Sequence, residues 1–390
     1  MDIKKIQMLL KQEDTDGWLF YDFQKQNMLG WKLLQLDQDS HVTRRIFYWI
    51  PKEGTPCRIV HAIEKSVLDK LPGEREIYSS WESLNHVLKS VLKNSKKVAM
   101  EYSKDCSIPY VSKVDGGIID LIRNNQVEVV SSANILQCFT SVLDDSQIKS
   151  HKEAAHFLNN VVKTVWKWIG DNLNKEITEY HVQQKILKIF EENDYITTSS
   201  PICAVNQNSA DPHYEICQAS SKVIKEKDFL LIDLWAKKNV LSSIYADLTK
   251  VATVKRVPTK KEEKIFSIVR NAQKQGVEFI RRSFKSNKKI YGYMVDNVCR
   301  SIIKEEGFLE NFVHRTGHNI DEFLHGFGAN FDDFETHDNR KILKNMTFAI
   351  EPAIYLEKEF GMRLEHDIVI EVDGSVNVTG GVQDNIYLIE

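Results

Sequence analysis

The sequence predicts an α+β protein of two domains. The chain has 390 residues, more than one hydrophobic core usually supports, so two domains are the natural starting point. Residues 1–145 mix short β-rich runs with helical ones, whereas residues 146–390 open on long amphipathic helices and return to strand-like runs near the end. Composition fits a folded protein, with 42% hydrophobic and 27% charged residues. Those values exclude a disordered chain, a collagen-like repeat and a disulfide-dense scaffold.

In the first domain, Arg45 to Ile50 and Cys57 to Ile63 are predicted strands around the turn Pro51-Lys52-Glu53-Gly54, a hairpin. Trp81 to Leu92 has a helical pattern, and Val98 to Met100 and Val127 to Val130 are short buried strands. The pattern changes near Asp144-Asp145. Ala154, Phe157, Leu158, Val161, Val162 and Val165 then recur at steps of a helix face. A second helix spans about Glu179 to Glu192, and Ile196 to Val254 is β-rich. Thr259-Lys260-Lys261-Glu262 after Pro258 is a capping box that opens a long helix. A further helix covers about Tyr293 to Lys304, followed by strands at Phe348 to Tyr355 and Asp367 to Val372. The lysine clusters at Lys93 to Lys97 and Lys285 to Lys289 are read as solvated faces.

The formal charge of −3 supplies no basic field for phosphates, which argues against a nucleic-acid partner. Six cysteines without a CxxC pair are read as free thiols of a reducing compartment. The N-terminal stretch is amphipathic and no apolar run reaches membrane-spanning length. The expectation is a cytoplasmic protein without a membrane partner.

Four segments place polar groups among strand-like apolar residues. They are Phe229 to Trp235 around Asp233, Ile244 to Thr249 around Asp247, His314-Arg315-Thr316-Gly317-His318 continuing to His325, and Phe348 to Pro352 with Arg363 to Ile370, around Glu351 and Glu365. Isolated buried carboxylates are costly and need compensating charge. These segments supply little cationic charge beyond Arg363. A pair of divalent cations would supply it, with His318 as nitrogen ligand. An oxygen-rich set with one imidazole suits Mn²⁺ or a similarly borderline ion, Co²⁺ and Zn²⁺ being the alternatives.

The order Asp233, Asp247, His318, Glu351, Glu365 resembles the dinuclear-metal signature of the creatinase/prolidase/aminopeptidase P superfamily, from about Gln147 to the end. The preceding region resembles that superfamily's smaller α/β N-terminal domain. The spacing of His314, His318 and His325 is similar to the aminopeptidase P pattern, and Asp211-Pro212-His213-Tyr214 resembles a segment whose histidine lines the active site. His325-Gly326, Gly328-Ala329-Asn330-Phe331 and Glu335-Thr336-His337 resemble a bacterial Xaa-Pro peptidase subgroup.

The resemblance implies a pita-bread catalytic domain and a metallohydrolase that cleaves between an N-terminal residue and proline through a hydroxide bridging two metals. It implies that Asp247 and Glu365 bridge both ions, Asp233 serves one, and His318 with Glu351 serves the other. Glu351 is then also the proton shuttle, His213 and His325 face the substrate, His314 belongs to the catalytic set, and Arg363 supports the ligands. The implied partner is a peptide with proline in second position, and the expected assembly a homodimer. Two alternatives stay open: a metal-dependent enzyme of the same fold acting on another small substrate, and a non-catalytic peptide-binding member. Asn319-Ile320-Asp321 after His318 predicts a turn and a narrower or more acidic pocket, and His366 stands where many members carry an acid.

Overall fold

A computed structural model describes every residue of the chain except Gln38. The chain divides into two compact units, Met1–Thr140 and Ser141–Glu390.

The first unit runs α1 (Ile3–Gln12), β1 (Gly17–Asp22), α2 (Met28–Leu33), β2 (Ile46–Pro51), β3 (Cys57–His61), β4 (Glu74–Tyr78), α3 (Trp81–Leu92), β5 (Lys97–Met100), α4 (Gly116–Arg123), β6 (Glu128–Ser131) and α5 (Ala133–Thr140). Its sheet has the order β4-β3-β2-β1-β5-β6. The expected hairpin is the antiparallel β2–β3 pair, with Phe47 opposite Ile59 and Trp49 opposite Cys57. Ser80 and Ser83 form the capping box that starts α3. Its Leu84, Leu88 and Leu92 bury a helical stripe in the same cluster as Val98 and Met100 of β5.

Glu101 follows β5 and is wholly buried. Trp18 Nε1 at 2.6 Å, Asn27 Nδ2 at 2.7 Å and Ser132 Oγ at 3.1 Å all donate to its carboxyl. Burial outweighs these donors and pushes Glu101 up to about 7. The folded chain therefore holds a proton that the unfolded chain has already released. That contribution to stability is present in full below the unfolded-state pKa and disappears as pH rises toward 7. Glu101→Gln should remove this slope from denaturant titrations at pH 5 and 7. Its amide nitrogen would face Asn27 Nδ2, so stability at acid pH should fall.

The second unit runs α6 (Asp145–Asn172), α7 (Glu179–Glu192), β7 (Tyr195–Ile196), β8 (Ile202–Val205), β9 (Phe229–Lys238), β10 (Ala246–Val254), α8 (Lys260–Lys285), α9 (Gly292–Glu305), β11 (Asn319–Ile320), β12 (Met346–Ile350), β13 (Ala353–Leu356), β14 (Phe360–Arg363), β15 (His366–Ile370), β16 (Val376–Thr379) and β17 (Tyr387–Ile389). One sheet has the order β17-β10-β9-β7, with β8 also on β9. A second has the order β11-β12-β15-β16, and β13 and β14 pair alone.

Alternation along the strands separates two faces. Leu230, Ile232 and Leu234 of β9, with Leu248 and Ala252 of β10, pack with Leu158, Val162 and Val165 of α6 and Ile186 of α7. Phe348 and Ile350 of β12, with Ile368 and Ile370 of β15, pack with Val269 and Ala272 of α8 and Val295 of α9. The opposite strand faces meet in a smaller cluster containing Trp235, Ile320, Ala349 and Val369. Helices thus cover the outside of each sheet, and the inward positions carry the polar residues.

Two expectations change. Phe348 to Tyr355 is not one strand: β12 stops at Ile350 and β13 starts at Ala353. Pro352 has no N–H to continue a ladder, so Glu351 sits at the break. The stretch Ile196 to Val254 is also interrupted, since residues 206–228 hold a 3₁₀ turn, Asn206–Ala210, and irregular chain. All six cysteines are free. Among the described residues, no helix is long and apolar enough to cross a membrane.

Candidate metal centre

Asp233 and Asp247 come from neighbouring antiparallel strands. Asp233 pairs with Thr249 and Asp247 with Trp235, so both carboxylates project from one face, diagonally apart. On the other sheet, Ile350 pairs with His366. Continuing that register by one step sets Glu351 opposite Glu365, just past the strand ends. Gln273 of α8 fixes these ends by donating to the carbonyls of Ile350 at 3.0 Å and Leu364 at 2.8 Å. His318 lies beside β12, where the Ala349 N–H donates to its carbonyl at 2.9 Å.

The five expected ligands therefore converge from two sheets. His318 Nε2 lies 3.6 Å from Asp247 Oδ2 and 3.7 Å from Glu351 Oε1. Ligand atoms of Asp247, His318 and Glu365 all lie within 4.8 Å of one another. His318 Nδ1 is 3.2 Å from the Asn319 carbonyl, which assigns the proton to Nδ1 and leaves a lone pair on Nε2. Burial first, then His325 and Arg315, hold His318 well below its ordinary pKa. These short approaches thus join acceptors rather than ions of opposite charge.

The grouped carboxylates and imidazole could hold a cation. Asp247 Oδ1 and Glu365 Oε1 are buried without a hydrogen-bond partner, an arrangement that is costly unless something positive completes it. Burial, then the neighbouring carboxylates, hold Asp247 and Glu365 well above the usual carboxylate range. Burial pushes Glu351 up to about 7, against the pull of Arg363 and Arg315. The donor set of oxygens and one imidazole nitrogen fits a borderline divalent ion.

Arg363 lies beside the cluster. Its guanidinium bonds Asp233 Oδ2, Thr249 Oγ1 at 3.1 Å and the Tyr355 hydroxyl at 2.8 Å. Thr249 Oγ1 is 3.0 Å from Asp233 Oδ1 and 2.7 Å from Glu365 Oε2, so one hydroxyl links ligands of both sheets. His314 does not touch the carboxylates. Its Nε2 meets the Tyr355 hydroxyl at 2.9 Å and its Nδ1 the Arg315 carbonyl at 2.7 Å. Burial, then Arg363, lowers it to about 3. It supports Tyr355, which in turn supports Arg363.

His325 stacks edge-on against His318, ring centroids 4.4 Å apart, and keeps an exposed edge. Desolvation by the surrounding protein, then Arg315 and His213, lowers it to about 4. His213 is exposed on the irregular chain after the 3₁₀ turn, close enough to influence His325.

The turn expected at Asn319-Ile320-Asp321 is instead the short strand β11, paired with β12. Asn319 side-chain atoms bond the Thr347 carbonyl and the Gly328 N–H, each at 2.9 Å. Asp321 accepts from the amides of Phe323 at 2.8 Å and Phe327 at 3.0 Å. Its charge is therefore used to shape the following loop. A side chain at Gly326 would run into Asn319 and Asp321, which explains the glycine beside His325.

Several contributors escaped the sequence reading. Thr249 was detectable, since it lies two residues after Asp247 and shares its face. Asp367 stands in the same relation to Glu365 and was equally detectable, whereas Tyr355 and Gln273 carried no such signal. Asp367 Oδ2 accepts from the Asp247 N–H at 2.9 Å. His366 is buried with both ring nitrogens unpaired and faces Lys250, Arg270 and Arg281 rather than the carboxylates.

Several known proteins resemble this chain. The Xaa-Pro dipeptidase of Pyrococcus furiosus is 32% identical over 178 residues, 46% of this chain and 46% of that protein. The chain thus aligns with less than half the length of that relative. Among solved structures, the prolidase of Thermococcus sibiricus superposes with a TM-score of 0.59 at 21% identity, covering 100% of this chain and 99% of that one. The dipeptidase PepE of Mycobacterium ulcerans gives 0.68 at 16% identity, covering 99% and 96%. These likenesses establish the pita-bread fold preceded by an N-terminal domain. The sequence pattern of metallopeptidase family M24 matches residues 149–371, and with more than half of its length inside that match, the chain belongs to metallopeptidase family M24.

Proposed function

We propose that the protein is a dinuclear-metal exopeptidase that hydrolyses the bond between an N-terminal residue and proline. The observation that carries this reading is the pair of orphaned buried oxygens, Asp247 Oδ1 and Glu365 Oε1, gathered with His318 Nε2. Asp233, Asp247, His318, Glu351 and Glu365 would hold two divalent cations, Mn²⁺ before Co²⁺ or Zn²⁺. Such ions acidify water and polarise a carbonyl.

The chain's own residues supply the rest. Arg363 and Thr249 hold Asp233 and Glu365 in orientation. Glu351, at the break before Pro352, takes a proton from the attacking water on its carboxylate and returns it to the departing proline nitrogen. His325 and His213, both exposed, donate to the oxygen of the scissile carbonyl as negative charge develops there. An Xaa-Pro bond has no N–H and a ring-fixed φ. It is poorly held by sites that bind substrates through strand-like N–H contacts, which leaves room for a dedicated enzyme. The name of the Pyrococcus relative supports the same substrate class.

The test is release of the first residue from Xaa-Pro-Yaa peptides by Mn²⁺-loaded protein, against matched Xaa-Ala-Yaa peptides. Faster cleavage of the proline series is expected. Equal or faster cleavage of the alanine series would indicate a general aminopeptidase. Cleavage of neither series, nor of an Xaa-Pro dipeptide, would favour a metal-dependent enzyme for another small substrate.

A further inference from the structure

His213 sits on irregular chain between β8 and β9, where neither a ladder nor a helix fixes the backbone. A donor to a developing oxyanion is effective only when it is held in place before the reaction. This loop therefore needs another anchor, and the hydrogen bonds around it converge on one side chain, Glu179.

Glu179 is the first residue of α7 and is wholly buried. Its Oε1 accepts from the Val205 N–H at 2.8 Å and from Asn208 Nδ2 at 2.9 Å. Its Oε2 accepts from the Tyr214 hydroxyl at 2.9 Å and from the Lys222 N–H at 2.9 Å. The Glu179 N–H in turn donates to the Lys222 carbonyl at 3.1 Å. Asn208 Nδ2 also donates to the Tyr214 oxygen at 2.8 Å, which closes a triangle of side chains. Burial, then Glu179, holds the Tyr214 hydroxyl above its ordinary pKa, so it remains a donor. All of these partners lie within residues 205–222. Burying a carboxylate is costly, and here the return is a set of charge-assisted bonds, roughly twice as strong as neutral ones, to both ends and the middle of one loop.

His213 lies between two of the points so fixed. The Pro212 carbonyl accepts from Arg363 Nη1 at 3.2 Å, and the His213 N–H donates to Asp211 Oδ1 at 3.1 Å. The planar peptide group leading into His213 is thus held on both of its polar atoms. Arg363 also bonds Asp233, which ties that peptide to the carboxylate cluster. On the other side of His213 stands Tyr214, tied to Glu179. Ser209 adds a third tie, its Oγ accepting from the Gly361 N–H of β14 at 2.8 Å. The imidazole itself stays exposed.

We propose that Glu179, acting through Tyr214, is a positioning residue that sets His213 against the scissile carbonyl; the inference rests on the exopeptidase reading and on the substrate contact it gives His213. Arg363 fixes the loop from the side of the carboxylate cluster and Glu179 from the side of α7, so the imidazole reaches the substrate from a defined place.

The experiment is a double-mutant cycle in the metal-loaded, full-length protein, with alanyl-prolyl-alanine as substrate. Tyr214→Phe removes only the hydroxyl and should lower kcat/KM about tenfold, mainly in kcat, with metal content unchanged. His213→Ala should lower it on the order of 10²-fold. In the His213→Ala background, Tyr214→Phe should change kcat/KM less than twofold, because the group it positions is gone. Glu179→Gln, where it folds, should follow Tyr214→Phe. A second readout needs no turnover: amide hydrogen exchange over residues 205–214 should quicken at least tenfold in Tyr214→Phe while α6 stays as protected as in the wild type. Full activity in Tyr214→Phe, a tenfold loss repeated in the His213→Ala background, loss of metal, or unchanged exchange would each overturn the proposal. Unchanged kinetics in His213→Ala would overturn it together with the substrate role of His213, while cleavage by the wild type would leave the exopeptidase reading standing. Where the wild type cleaves no such peptide, that reading fails, and the exchange readout alone decides whether Glu179 and Tyr214 hold the loop.

Discussion

Asp247→Ala is expected to abolish peptidase activity, with kcat/KM falling on the order of 10³-fold or more, beyond the 10–100-fold typical of groups that merely support a metal ligand. Asp247 projects one oxygen toward His318 Nε2 and leaves the other without a partner. As the proposed bridge, its loss affects both ions. A second readout does not depend on activity. In metal-free protein, Asp247 is a buried acid crowded by Glu365, Asp233, Asp367 and Glu351. Asp247→Asn keeps the volume and removes its share of that repulsion, so the chelated variant should unfold at higher temperature than chelated wild type. A variant that keeps full activity, or an asparagine variant that is less stable without metal, would show that the carboxylate is not built for cations.

His325→Ala should separate substrate contact from metal binding. Its ring stacks edge-on with His318 but reaches none of the carboxylates by a hydrogen bond, and it keeps an exposed edge. The variant should retain its metal, while kcat/KM falls on the order of 10²-fold, the scale of losing one donor to a developing oxyanion. The loss should lie mainly in kcat, because the donor acts on charge absent from the ground state. Loss of metal would assign His325 to the ligand framework, and unchanged kinetics would remove it from the mechanism.

What the sequence revealed follows from period and punctuation. The capping box read at Thr259–Glu262 lies where α8 begins, and α6 begins beside the pattern change read at Asp144-Asp145. Local side chains fix a helix start, so such signals survive without tertiary context. Asp233 and Asp247 stood out because a carboxylate inside an apolar alternating run is anomalous by itself. The break at Glu351-Pro352 was present in the sequence as a proline, and the long apolar run around it masked the interruption.

Other features depend on contacts between distant segments. Asn319 and Asp321 have turn-forming chemistry, yet Thr347 and Gly328 engage Asn319, and the amides of Phe323 and Phe327 engage Asp321, so the backbone at Asn319–Ile320 is drawn into a strand. Tyr355 is recognisable only once β14 places Arg363 beside it. Gln273 faces the site because α8 crosses the ends of β12 and β15. A cleft in the first unit, lined by Tyr21, Arg45, His61, Tyr78 and Asp115 among others, is likewise an assembly of five separated segments, none distinctive alone.

If five side chains from two sheets form one site for two ions, elemental analysis of Mn²⁺-loaded protein, freed of excess metal, should return two ions per folded chain and a loss of most of both in Asp247→Ala. A folded wild-type chain that retains no metal, or an Asp247→Ala chain that retains both ions, would rule that site out.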